Sequence, residues 1–229
     1  MSLRRRSTIA LLAVAALLCS LPAVAQQAEV PVQEFSLDNG MNILMVERHE
    51  SPTVTAGWVT RVGSVNETVG TTGIAHLFEH MMFKGSRVIG TSDYEKEAEI
   101  IAKLDVLRLE MEAEYEAMRE AKRRGEITGS IYLPENQTER LAELREEMKV
   151  LQEQQKELIV KDEIDQIYTE AGASGMNAGT WQDGTMYFIT VPANKLELWF
   201  WMESERLLNA VFLEFYTERD VVREERRLG

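Results

Sequence analysis

The stretch Gly73-Ile74-Ala75-His76-Leu77-Phe78-Glu79-His80-Met81-Met82-Phe83-Lys84-Gly85 decides how the rest of the chain is read. Between its glycines it has the texture of a short helix, over 74–83. On a helix, positions i and i+4 share one face, so the imidazoles of His76 and His80 can reach one metal ion. Glu79, three residues after His76, borders the same face and can take a proton from a water molecule. The chain has three histidines, and two of them are here. Taken as five residues alone, the pattern is also compatible with a chance pair of helical histidines beside an acid.

On the N-terminal side, Thr53 to Val62 is rich in β-branched residues and predicts a strand. Val30 to Leu37 and Met41 to Val46 flank Asp38-Asn39-Gly40 and predict a hairpin. The first residues have a different character. Arg4, Arg5 and Arg6 precede an apolar run from Ile9 to Leu21, and Ala23-Val24-Ala25 supplies a small-residue cleavage pattern. Residues 1–25 therefore predict a secretory signal peptide, followed by a mature chain over 26–229 that is periplasmic or extracellular and has no stable membrane insertion. Cleavage removes Cys19, the single cysteine, so any metal ligands must be His and carboxylate. It also removes three Arg and no acid, taking the formal net charge from −13 to −16. Such a surface suits no nucleic acid, because phosphate binding needs clustered positive charge.

On the C-terminal side the texture changes at Ser92. Ser92-x-x-Glu95 predicts a capping box. Ile100, Leu104, Leu107, Met111, Tyr115 and Met118 then follow at the four-three spacing of a helical seam. Two glycines and Pro134 within 125–136 predict a turn, and Leu141, Leu144, Met148, Leu151 and Leu158 form a second seam. Residues 92–171 thus read as an antiparallel, coiled-coil-like helical hairpin with charged outer faces. It is either a solvated structural arm or a partner-binding one. Beyond it, Ser174 to Trp181 reads as a loop and Thr185 to Val191 as a strand. A helix capped by Asn194 runs to Asn209, and a last helix starts near Phe212. Strands before and between helices predict an α+β class, with helices packed on an antiparallel sheet.

The Gly73–Gly85 run has the inverzincin order, H-x-x-E-H. It resembles the signature of the pitrilysin/insulinase family of zinc metallopeptidases. Asn177-Ala178-x-Thr180 with Thr185-x-Tyr187 resembles that family's substrate-side strand. Glu218-Arg219-Asp220-Val221-Val222-Arg223-Glu224-Glu225 resembles the segment supplying its third metal ligand. The resemblance covers the mature chain except 92–171. It implies a metallopeptidase N-terminal half-domain into which 92–171 is a hairpin insertion, with His80 and Glu225 lying 145 residues apart.

Two histidines leave a catalytic zinc site one protein ligand short. The last helix offers Glu214, Glu218, Asp220, Glu224 and Glu225. Glu218 and Glu225, seven apart, share a face, and Glu224 lies about 100° away. On the residues alone, surface charge is the better reading of Glu218 and Glu225. The resemblance selects Glu225 as ligand and Glu218 as its catalytic helper, orienting a histidine or the Glu79 region. It further implies one Zn2+ and a zinc-dependent endopeptidase acting on peptides or small unfolded proteins, with Glu79 activating water. Asn177 and Ala178 are implied to hold substrate as an added strand, although Asn177 also suits a turn. A second homologous half or subunit is implied to close a chamber over the substrate. The chain ends inside a helical pattern, so it reads as a truncated form. The alternative functions are a non-catalytic homologous subunit or an inactive fragment partnering a second half.

Overall fold

The computed structural model describes residues 30–228, so the signal-peptide reading of 1–25 lies outside the described residues. The fold is α+β with antiparallel sheets. The described residues up to Ser51 and those from Pro52 onward form two compact units.

In the first unit, β1 (Val32–Ser36) pairs antiparallel with β2 (Asn42–Val46), Val32 facing Val46 and Ser36 facing Asn42. The turn needs Gly40, whose φ of 84° lies in the left-handed region. The Asn39 side chain accepts from the Met41 N–H at 3.0 Å and closes it.

In the second unit, β3 (Thr53–Thr60), β4 (Ser174–Thr180) and β5 (Thr185–Pro192) form an antiparallel sheet in the order β3-β5-β4. The segment read as a loop is therefore an edge strand. Gly175 and Gly179 weaken its strand propensity, but pairing with β5 and the half-buried face of Met176, Ala178 and Thr180 override it. Among the described residues, six α-helices accompany the sheet: α1 (Ile74–Met81), α2 (Tyr94–Arg123), α3 (Glu139–Lys156), α4 (Glu163–Glu170), α5 (Leu196–Asn209) and α6 (Phe215–Leu228). The main core joins Ile189 and Val191 of β5 to Ile164 and Tyr168 of α4, Met202 of α5, and Ile89.

Helices α2 and α3 pack antiparallel. Glu97–Gln155 (2.9 Å), Glu110–Arg140 (2.6 Å) and Glu114–Thr138 (3.0 Å) mark their register. Distally, Met118, Ile131 and Leu141 form a separate cluster. At the base the ends return together: Thr91 bridges Ile159, and the Val160 N–H donates to Gly90 O at 3.0 Å.

Three further expectations are corrected. The cap of α2 is Asp93, which accepts from the Lys96 N–H, while Ser92 Oγ donates to Leu158 O at 3.0 Å. Asn194 lies in a 3-10 turn and does not cap α5, whose N-cap is Lys195. Finally, 163–170 is not hairpin at all. It is α4, a core helix, and periodicity could not show this because Ile164, Ile167 and Tyr168 continue an apolar stripe whichever partner they meet.

Candidate metal centre

Helix α1 has no side-chain cap of its own, because its N-cap is Gly73 at φ 96°. That residue must be left-handed, which favours glycine. The N–H groups that such an end leaves without helical partners are met from Glu67, which accepts from Gly73 N (2.8 Å) and Ala75 N (3.0 Å). The Gly73 N–H, followed by the Ala75 N–H and the charge of Arg226, outweighs partial burial and holds the Glu67 carboxyl below the ordinary carboxylate range.

The helix presents its two imidazoles edge to face, with ring centroids 4.8 Å apart. Glu225 of α6 meets both. Its Oε2 lies 3.6 Å from His76 Nε2 and 3.6 Å from His80 Nε2. One ligand atom from each of these residues falls within 4.8 Å of the others. On the far side of the ring, His80 Nδ1 lies 3.2 Å from Glu218 Oε2. An ionised carboxylate only accepts, so Nδ1 is the donor in this contact, and Nε2 is the ring nitrogen that faces Glu225. The other oxygen of Glu218 is 2.5 Å from Lys84 Nζ.

Two imidazole nitrogens and a carboxylate oxygen are the donor types of a catalytic zinc site. Their 3.6 Å spacings are too long for hydrogen bonds, so the trio does not satisfy itself. A divalent cation fits this donor set.

Glu79 leaves the trio and turns to the sheet, where Thr180 Oγ1 of β4 donates to its Oε2 at 2.5 Å. Thr180 in turn contacts Thr185 Oγ1 at 3.1 Å, and Thr185 donates to Val62 O. An open cleft of about 510 Å3 runs past these groups, lined by His76, Glu79, Thr180, Trp181 and Arg226 among others. On the edge strand, Asn177 is exposed and its Oδ1 accepts from the Ala178 N–H at 2.8 Å. The structure thus gathers His76, His80 and Glu225, sets Glu218 behind His80, and places Glu79 against Thr180. Asn177 and Ala178 sit further along that same strand.

Beneath α1 lies a buried network absent from the sequence reading. Glu203 accepts from Trp58 Nε1 (2.6 Å) and Tyr168 OH (2.6 Å) and pairs with Arg206 (2.8 Å). Arg206 Nε donates to Met82 O at the end of α1 and its guanidinium lies over Phe83. Burial first, and the Glu203 charge second, push the Tyr168 hydroxyl far above its ordinary value. Glu203 and Arg206, at i and i+3 within an apolar helical stripe, were the available signal. Glu67 gave less: only a glycine at an N-cap hints that the cap must come from outside.

An antiparallel α+β unit whose short helix offers two histidines to a glutamate of another helix fits the class of metallopeptidase domains. Residues 42–114 match the family model described as Insulinase (Peptidase family M16), a span that contains His76, Glu79 and His80 and ends before Glu225. Over 72 residues the chain is 32% identical to the zinc protease PqqE of Helicobacter pylori, which covers 31% of this chain and 16% of that protein. Among solved structures, a protease from Helicobacter pylori superposes with a TM-score of 0.52 at 21% identity, over 86% of this chain and 31% of that one. The first half of the periplasmic protease PqqL from Escherichia coli gives a TM-score of 0.46 at 21% identity, over 86% and 29%. The family match and the PqqE relative bear out the resemblance to the insulinase peptidases. The chain spans less than a third of the length of each of these relatives.

Proposed function

We propose that this chain carries the metal-binding half of a zinc-dependent endopeptidase that cleaves peptides or small unfolded proteins. The observation that carries the reading is the convergence of His76, His80 and Glu225 beside a cleft that Glu79 also lines. His76 Nε2, His80 Nε2 and the Glu225 carboxylate would hold the ion. A zinc ion held there would supply Lewis-acid polarisation of a peptide carbonyl and acidify water.

The protein groups do the rest. Glu79, fixed by the Thr180 hydroxyl, takes a proton from the attacking water and returns it to the leaving amine. Glu218 keeps the proton on His80 Nδ1 and so fixes the tautomer and ring orientation of that ligand, with Lys84 neutralising its second oxygen. Its part is positioning, because its contact is with the back of the ring. The edge strand β4, with Asn177 and Ala178 on it, offers backbone to an extended peptide as an added strand. A second homologous half closes the cleft over the substrate, in keeping with the small share of its relatives that the chain spans. The leader pattern of residues 1–25 directs it to the periplasm or beyond.

Metal analysis of the purified chain tests the reading. We expect about one zinc per molecule, lost in His76→Ala and retained in His49→Ala. Glu79→Gln should retain zinc and abolish peptide hydrolysis in a protein that includes the second half. Equal zinc loss from His49→Ala would place the metal elsewhere.

A further inference from the structure

We infer that Glu67 and Arg226 form a clamp that positions the metal-binding helix and so sets the affinity of the centre. The inference rests on the zinc-site reading above and assigns two residues that are not ligands. Helix α1 is only eight residues long, begins at a left-handed glycine and has no acid in its first turn. A helix so short is poorly stable on its own. Its N-terminal geometry must be imposed from outside, and His76 stands on its first turn.

Two groups impose it. Glu67 reaches Gly73 N with one oxygen and Ala75 N with the other. Only a carboxylate presents two acceptors to two backbone donors in this way, and its charge also suits the positive end of the helix. Arg226 donates from Nη1 to Thr72 O at 2.9 Å, on the residue before that glycine. Because Arg226 follows Glu225 in α6, this bond fixes the start of one ligand-bearing helix against the other.

The loop carrying Glu67 is itself anchored. Ser64 N donates to Trp181 O (3.1 Å) and Val65 N to Gln182 O (2.9 Å). That approach is close enough that a Cβ at Gly63 would lie 2.2 Å from Trp181 O. The loop is thus pinned to the end of β4, the strand whose Thr180 holds Glu79. One frame positions His76, Glu79 and Glu225 together.

Zinc affinity of the parent chain, Glu67→Gln, Arg226→Met and His76→Ala, each with a thermal melt of the metal-free protein, tests this. Glutamine keeps the shape but replaces one acceptor by an NH2 group facing a backbone donor. We expect Glu67→Gln and Arg226→Met each to weaken zinc binding roughly tenfold, the lower range for groups supporting metal ligands. The Arg226 variant separates positioning from simple electrostatics. Removing a positive charge beside a cation site should tighten zinc by Coulomb attraction alone, whereas loss of a clamp weakens it. If Arg226→Met binds zinc as well as or better than the parent, the clamp is overturned. Lower melting temperatures with unchanged zinc affinity would likewise overturn it, leaving Glu67 a purely structural cap. Should Glu67→Gln fail to fold, the exposed Arg226 variant decides. In these outcomes the parent still binds zinc and His76→Ala does not, so the site reading survives. A parent chain that binds no zinc would overturn both.

Discussion

His80 and Glu218 meet at 3.2 Å, Nδ1 to Oε2, on the side of the ring away from Glu225. The three glutamates of α6 are therefore separable by where they touch. Glu225 faces both imidazoles, Glu218 backs one of them, and Glu224 pairs with Arg227 on the outer face. Glu225→Gln should lose most zinc affinity, because it removes an anionic ligand. Glu218→Gln should lose on the order of 10–100-fold, and Glu224→Gln almost none. Competition titrations against a zinc chelator measure all three. Equal effects of Glu224 and Glu225 would contradict the helix register described here.

Thr180 is the one side chain bonded to Glu79 among the described residues. Thr180→Val should leave zinc content unchanged while lowering kcat of a protein completed by its second half. Thr180→Ser, which keeps the hydroxyl, should restore most of the rate. General acid-base groups contribute about 10²–10⁴-fold, so a misdirected Glu79 should cost a readily measured part of that range. Loss of zinc from Thr180→Val would instead tie the threonine to the metal ligands.

Much of this was legible in the chain itself. The i, i+4 histidines and the seven-residue spacing of Glu218 and Glu225 follow from helix geometry, and the helical seams from period. What escaped had no local signature. The strand β4 holds two glycines and owes its conformation to β5. The helix α4 carries an apolar stripe that suits a hairpin as well as a core. The Glu67 cap and the Glu203–Arg206 network join residues distant in sequence, and pairings of that kind are fixed only by tertiary packing.

That network should dominate stability. Glu203 and Arg206 are almost wholly buried, and Arg206 Nε supports the carbonyl of Met82 at the end of α1. Arg206→Met leaves the Glu203 carboxylate buried with Trp58 and Tyr168 as its remaining partners, and removing one member of such a pair costs about 3–5 kcal/mol. Tyr168→Phe should cost less, about 1–3 kcal/mol, since Arg206 still holds the carboxylate. Denaturant midpoints rank the two. If Arg206→Met were no worse than Tyr168→Phe, the buried charge would have another partner.

The final expectation concerns how much of the helical hairpin the domain can lose. Its distal half is self-contained: Met118, Ile131 and Leu141 pack with Met111, Tyr115 and Ile127, all within the hairpin. Its base is not. Ile100 and Leu104 pack under Tyr216 of α6, the helix bearing Glu225, and Tyr216 OH lies 3.4 Å from Asp105. Further on, Ile164 and Tyr168 belong to the main core, where Tyr168 also holds Glu203. The register that pairs Glu110 with Arg140 puts Met111 close to Leu141, so a short Gly/Ser joint replacing 112–140 can link the two helices without moving the base. Shortening a loop of this kind is nearly neutral in entropy. That variant should melt cooperatively and bind zinc like the parent. Replacing 95–168 should instead strip the support from α6 and open the core, giving a protein that neither melts cooperatively nor holds zinc. Zinc content and thermal melts of the two variants decide between these outcomes. A 95–168 deletion that kept its zinc would show that Tyr216 and Glu203 do not depend on the hairpin base and α4. A 112–140 deletion that lost it would make the distal cluster part of the metal-binding fold.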